Sequence, residues 1–322
     1  MLGLFRKNLF VNVIILLLFV IVLRSYFFIY GEPSNISWSI NEILNLNVLL
    51  GNTFLQVAAS IILIFFQAYL LSSYVIEHRL SRELSLISGA VFILFVSSVL
   101  EPQSFNIILI ANFFFVLSLG SLFKIYKKHK PIGTIFNSGF YLGLATVFYF
   151  PYIIFFIPLL FGLLSLRSFN FKELLQLISG LLGVYFLVAV FLFYNDHLHV
   201  YNDHMYSGFS LPSFDFSDPF ALIKPGLLLV SSIFLLVFQN TLRKKKKFDA
   251  IKKIELVYWC LFLGLIVLIF TLKLGDEALI LISCPIAILG GLILESKDKS
   301  IYKEIGFVVL IVAYVLFLMN VI

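Results

Sequence analysis

Long apolar runs recur along the whole chain and constrain its fold more than any other feature. Eleven such runs follow one another, at 9–29, 53–76, 84–100, 105–123, 132–149, 151–166, 174–194, 220–241, 256–272, 278–294 and 304–321. A helix needs roughly 20 apolar residues to cross a bilayer, and only helices or closed barrels satisfy the backbone in lipid. Because the runs are continuous, they lack the alternation of barrel strands. The sequence therefore predicts an all-α, polytopic transmembrane bundle of about eleven spans.

The composition leaves no room for a separate soluble domain. Of the 322 residues, 61% are apolar and 12% are charged, whereas a soluble domain is about half apolar and a quarter charged. This difference excludes an ordinary cytosolic enzyme, a disordered chain and a secreted disulfide scaffold. We expect a single integral membrane domain over residues 1–322.

The distribution of Lys and Arg predicts the orientation. With the N-terminus inside and the spans alternating, 20 of the 23 Lys and Arg fall in inner loops, as the positive-inside rule requires. The N-terminus is then on the inner, cytoplasmic side of the membrane and the C-terminus is on the outer side. This orientation places a basic cytoplasmic loop at 242–254 and outer loops at 30–52 and 195–219.

Three cations, Arg24, Lys224 and Lys273, fall on the outer side. The apolar run before Arg24 is too short to span alone, so the helix must continue and place this charge below the outer interface. A charge in the hydrocarbon layer costs at least about 2.5 kcal/mol and indicates a functional site; the alternative is a side chain that snorkels to the headgroups. Lys224 lies at a similar depth in the eighth span, and Lys273 lies at the membrane edge, where snorkelling is the simpler interpretation.

Two outer carboxylates are candidate catalytic groups. Glu32 follows the first span, and Glu101 lies in the turn between spans three and four. Near a cation at a membrane surface, such a carboxylate can act as a general base, with its pKa tuned by the low dielectric. The alternative is that each is a solvated loop residue.

The outer loop 195–219 begins with an internal repeat. Tyr-Asn-Asp-His at 194–197 recurs at 201–204, and another histidine lies between the two copies. Imidazole and carboxylate groups bind divalent metals, so His197, His199, His204, Asp196 and Asp203 form a weak candidate metal site. The alternative is a polar loop, or a docking surface for an envelope partner.

Two local sequence patterns concern helix structure and indicate no catalytic or binding role. Asn170 and Glu173 form a capping pattern that begins the seventh span, and Gly139 and Gly143 match a motif for close helix packing. No span carries Asp, Glu or His near its middle, which disfavours a proton-coupled transporter. No phosphate-binding loop or nucleophile elbow is present, and neither a cofactor nor nucleic acid is predicted.

The middle of the chain resembles a known family. The stretches IFNSGFYLGLATVFYFPY (135–152) and LRSFNFKE (166–173) resemble a family of polytopic inner-membrane proteins from Bacteroidota, a domain of unknown function. This resemblance implies a location in the bacterial inner membrane, with the C-terminus and the two outer loops in the periplasm. It implies no particular chemistry.

The layout is also similar to that of GT-C type membrane glycosyltransferases, which use polyprenyl-phosphate sugar donors. Those enzymes carry acidic residues in the first outer loop and between spans three and four. The resemblance implies catalytic roles for Glu32 and Glu101, and contacts from Arg24 and Lys224 to the donor phosphate. The chain departs from the pattern, because Glu replaces the usual Asp or paired acids and the large outer domain is missing. The function expected is GT-C-like handling of a lipid-linked sugar at the periplasmic face in envelope biogenesis; the alternatives are a non-catalytic subunit of an envelope complex and, less favoured, a transporter.

Overall fold

The structure is a computed structural model, and it is helical with no strand in the residues it describes. Those residues are 9–25, 52–81, 84–99, 105–126, 128, 130–167, 170–197, 235–236, 246–271, 276–295 and 308. Within them lie nine α-helices: α1 Leu9–Arg24, α2 Thr53–Glu77, α3 Ile87–Val99, α4 Ile107–Phe123, α5 Ile132–Phe148, α6 Phe156–Leu166, α7 Phe171–Tyr194, α8 Phe248–Thr271 and α9 Ser283–Leu294. Two 3₁₀ segments, Phe150–Phe155 and Asp276–Ile282, lead into α6 and α9. The all-α prediction is confirmed for this part of the chain.

The helices coincide with nine of the eleven predicted spans, with shifted ends. Helix α7 begins at Phe171 because the Asn170 side chain accepts a hydrogen bond from the backbone N–H of Lys172, which confirms the predicted cap. Helix α8 begins at Phe248, so the second half of the predicted loop 242–254 is helical. The predicted spans 220–241 and 304–321 lie outside the described residues, apart from 235–236 and 308.

Two predicted spans, 151–166 and 278–294, are not continuous α-helices. Each is a 3₁₀ segment followed by a short α-helix whose third residue is proline, Pro158 in α6 and Pro285 in α9. Proline has no N–H and its ring collides with the carbonyl four residues earlier, so it is tolerated in a first turn and not further inside. The α-helix therefore starts just before each proline. Because a 3₁₀ segment rises more steeply, the composite elements still reach about 28 and 32 Å.

Helices α5 and α7 approach each other most closely. A Cβ atom added to Gly139 would lie 2.1 Å from the carbonyl oxygen of Leu177, and one added to Gly180 would lie 2.3 Å from that of Phe136. Any side chain at either position would collide with the facing backbone, so the two helices can lie this close only because both positions are glycine. The predicted tight packing at Gly139 and Gly143 is confirmed, and its partner is α7.

The helices are apolar on their outer faces as well as in their contacts. Phe186 and Phe193 of α7 are 69% and 71% exposed, and Val22 of α1 is 66% exposed. Soluble proteins rarely expose apolar patches of this extent. Within the described residues, α2 and α7 are the two helices long and apolar enough to cross a membrane by length and composition.

Charged residues concentrate at one end of the bundle, here called the basic end. Hydrogen bonds and ion pairs join helix ends there: Lys246 to the carbonyl of Leu80, Lys252 to that of Ser165, Arg167 to that of Lys128, and Lys253 to His78. Ten of the eleven Lys and Arg whose positions the structure describes lie at this end, and Arg24 lies at the other. The helix ends that the sequence assigns to one side therefore lie together.

Candidate functional site

Arg24, the last residue of α1, is fully enclosed by protein. The side chain is 0% exposed, and its Nη2 donates a hydrogen bond to Oγ of Ser60 on α2 at 3.3 Å. A snorkelling arginine would extend its guanidinium to the surface. The side chain instead turns into the contact between α1 and α2, which favours a role within the protein.

Ser60 is oriented to accept from this guanidinium. Its hydroxyl donates to the carbonyl oxygen of Val57 at 2.8 Å, in its own helix, so the oxygen lone pairs face Arg24. Gln56, one turn earlier on the same face of α2, is 1% exposed, and Ser97 in the last turn of α3 is 2% exposed. Because α1 packs against α2 and α3, these groups form a buried polar layer near one end, here called the Arg24 end. A guanidinium in such a layer suits a phosphate or carboxylate group.

The remaining residues of the predicted catalytic and phosphate-binding set lie outside the described residues. These are Glu32, Glu101 and Lys224. Of the four, the structure places Arg24 alone.

The first residues of the predicted metal loop terminate helix α7. Asp196 has φ 58°, and its N–H donates to the carbonyl of Phe193 at 3.2 Å, while the N–H of His197 donates to that of Leu192 at 3.0 Å. This pair of bonds is the Schellman arrangement, with the first residue beyond the helix in the left-handed region. The first copy of the repeat therefore caps α7 and does not continue it. His199, Asp203 and His204 lie outside the described residues, and no group of three His, Cys, Asp or Glu suited to a metal occurs within them.

A buried polar network crosses the middle of the bundle. Nδ2 of Asn112 donates to Oε1 of Gln67 at 2.7 Å and to Oγ of Ser283 at 3.2 Å, and Oδ1 of Asn112 accepts from the hydroxyl of Tyr152 at 3.1 Å. Nε2 of Gln67 donates to the carbonyl of Leu109 at 2.9 Å. All four side chains are 0% exposed. Both N–H donors of Asn112 are used and its oxygen accepts a hydrogen bond, so the network joins helices.

Gln67 and Asn112 fall within predicted spans, and nothing in the sequence around them indicates that their side chains meet. Tyr152 lies in the first 3₁₀ segment and Ser283 follows the second, so Asn112 ties both discontinuous elements to α4. The available signal was the pair of prolines, Pro158 and Pro285, each a few residues beyond a polar side chain.

At the basic end, His78 lies between two lysines. Nζ of Lys253 contacts Nδ1 of His78 at 3.0 Å, and Lys124 caps the C-terminus of the neighbouring α4. Burial, together with the charges of Lys253 and Lys124, lowers the pKa of His78 to about 3. Lys253 is 6% exposed, and burial lowers its pKa, although Asp249 and Glu77 oppose this effect. His78 is therefore neutral and acts as an acceptor for Lys253.

Comparison of the chain with family models, curated proteins and solved structures finds no match in any of the three.

Proposed function

We propose that this chain is a multi-pass protein of the bacterial inner membrane that handles a polyprenyl-phosphate-linked sugar at its periplasmic face, in the manner of GT-C type transferases. The observation that carries the proposal is the complete burial of the Arg24 guanidinium against Ser60 at the end opposite to the basic residues. A buried arginine in an apolar bundle is costly unless it serves binding or transport. A lipid-linked phosphate is a ligand that needs both an apolar surface and a cation.

The positions of the charges support the orientation. With the basic end in the cytoplasm, as the positive-inside rule predicts, the Arg24 end faces the periplasm. The exposed apolar faces of α1 and α7 supply a surface for acyl chains. Lys224 is the second proposed phosphate contact.

The proposed catalytic carboxylates follow helices that end on the Arg24 side. Glu32 comes eight residues after Arg24, and Glu101 comes two residues after the end of α3, which packs against α1. In this proposal one carboxylate accepts the proton of the acceptor hydroxyl while the guanidinium neutralises the departing phosphate.

The experiment that tests the proposal compares two lipids that differ only in the phosphate group. The full chain in nanodiscs of phosphatidylcholine is titrated with undecaprenyl phosphate or with undecaprenol. We expect Arg24→Gln to weaken binding of the phosphate at least about tenfold, since a charge-assisted hydrogen bond contributes about 1.5–3 kcal/mol. Arg24→Lys keeps the charge and is expected to retain part of the affinity.

Arg79 provides the matched control, because it is an exposed arginine at the basic end. Arg79→Gln is expected to bind undecaprenyl phosphate like the wild type, and thermal unfolding confirms that each variant is folded. Equal affinity of Arg24→Gln and Arg79→Gln would contradict the phosphate contact. Wild-type transfer activity in both Glu32→Gln and Glu101→Gln would remove the catalytic role of these two carboxylates.

A further inference from the structure

The basic end holds a cluster of hydrogen-bond donors that the proposed function does not use. The cluster is formed by Lys253 near the start of α8, His78 at the end of α2 and Lys124 at the end of α4, and is here called the Lys253 cluster. The ring of Phe123 joins them, since it lies 5.4 Å from the ring of His78 and 5.9 Å from Nζ of Lys253. Three helix ends thus converge on one aromatic-lined position.

The donors of this cluster outnumber its acceptors. An ammonium has three N–H donors and no acceptor, and Lys253 uses one of them on Nδ1 of His78. The proton of the neutral imidazole is then on Nε2, which is a buried atom without a hydrogen-bond partner among the described residues. At least one buried N–H donor at this position therefore has no acceptor.

Neither nearby carboxylate forms an ion pair with Lys253, although Asp249 and Glu77 act on its charge from a greater distance. Among the residues with described positions, no carboxylate oxygen lies within 4.0 Å of its Nζ. Glu77 lies 4.0 Å from Lys124 and is half exposed, and Asp249 accepts a hydrogen bond from Tyr126. The aromatic rings of Phe123 and Tyr126, both 5.9 Å away, supply only weak compensation.

We infer that the Lys253 cluster binds a phosphate-bearing anion, either the headgroup of an anionic lipid or free phosphate. A buried ammonium without an ion-pair partner is expensive, and a phosphate would accept from the two N–H donors that Lys253 does not use on His78 and from Lys124. The exposed lysines of the same end, Lys128, Lys130 and Lys247, raise the local concentration of such anions. This site is at the opposite end from Arg24 and is independent of the proposed transferase activity.

The test uses the full chain in nanodiscs and two probes. The first probe is inorganic phosphate added to phosphatidylcholine nanodiscs, against sodium chloride of matched ionic strength. The second is the replacement of part of the phosphatidylcholine by phosphatidylglycerol. We expect one or both probes to raise Tm by about 3 °C or more, as a ligand that binds only the folded state does.

Three variants locate the effect. Lys253→Gln and Lys124→Gln are expected to weaken the apparent affinity for the stabilising probe at least about tenfold. Lys172→Gln is the matched control, because Lys172 is an exposed lysine at the same end and outside the cluster. Lys124 is half exposed, so we expect Lys124→Gln to fold. This variant keeps the test decisive if the replacement of the buried Lys253 prevents folding.

The outcomes separate the two sources of the anion. A response to inorganic phosphate indicates free phosphate, whereas a response to phosphatidylglycerol alone indicates a lipid headgroup. No response to either probe would overturn the inference. Equal loss in Lys172→Gln and Lys253→Gln would also overturn it, because the effect would then come from general surface charge.

Discussion

The contact between α5 and α7 allows the packing cost of one methyl group to be measured. In Gly139→Ala the new Cβ would lie 2.1 Å from the carbonyl oxygen of Leu177. The obstacle is backbone, so no side-chain rotation relieves it. The two helices must separate by about 1 Å, which forfeits a quarter to a half of the dispersion energy of the atoms that separate.

The expected magnitude combines two opposing effects. Overpacking costs about 1–3 kcal/mol, and we take the upper part of that range because the contact is with backbone. Alanine is favoured over glycine inside a helix by about 1 kcal/mol. We therefore expect Gly139→Ala to lower the free energy of unfolding by about 1–2 kcal/mol.

Gly183 on α7 is the control, because a Cβ added there meets nothing within 4 Å. Gly183→Ala carries the same gain in helix propensity without the collision and is expected to be neutral or stabilising. Unfolding of the full chain in mixed micelles by added dodecyl sulfate, followed by far-UV circular dichroism, measures both variants. Equal stability of Gly139→Ala and Gly183→Ala would refute the close approach of α5 and α7.

Three further predictions concern single residues. Arg79 has φ 52° beyond the end of α2, so Arg79→Gly is expected to raise Tm by relieving about 1 kcal/mol of strain, whereas Arg79→Ala is not. Asn112→Ala leaves Oε1 of Gln67 and the hydroxyl of Tyr152 without a partner and is expected to cost about 3 kcal/mol in equilibrium unfolding, whereas the exposed Asn137→Ala is expected to be neutral. Because the pKa of His78 is about 3 in the folded chain against 6.5 ordinarily, the unfolded chain binds more protons between these values. The unfolding free energy is therefore expected to fall as pH drops from 6.5, and a His78→Gln variant with the same pH dependence would contradict this reasoning.

The sequence predicted helix ends well where a local rule applies. The side chain of Asn170 accepts a hydrogen bond from the backbone N–H of Lys172, so the start of α7 depends only on adjacent residues. It predicted helix ends less well at α8, because hydropathy marks the apolar part of a helix and Asp249, Lys252 and Lys253 belong to its polar beginning.

The candidate sites could not be predicted in full from the sequence, because each is formed by residues that are far apart along the chain. The burial cost of a charge identified Arg24 from the sequence, but its partner Ser60 is 36 residues away and nothing in the local pattern selects that serine among many. The Lys253 cluster joins residues 175 positions apart, and lysines near a membrane ordinarily indicate orientation.

The amino-acid sequence by itself determined the helical class, most helix positions and the grouping of charges at one end, because these follow from the transfer of apolar residues out of water and from bonds within each helix. The tertiary structure alone decided that Gly139 faces α7, that Asn112 joins two discontinuous elements, and that Arg24 and Lys253 are buried. Those outcomes depend on which helix faces meet, and the energy of such a contact appears only when the two surfaces are in place.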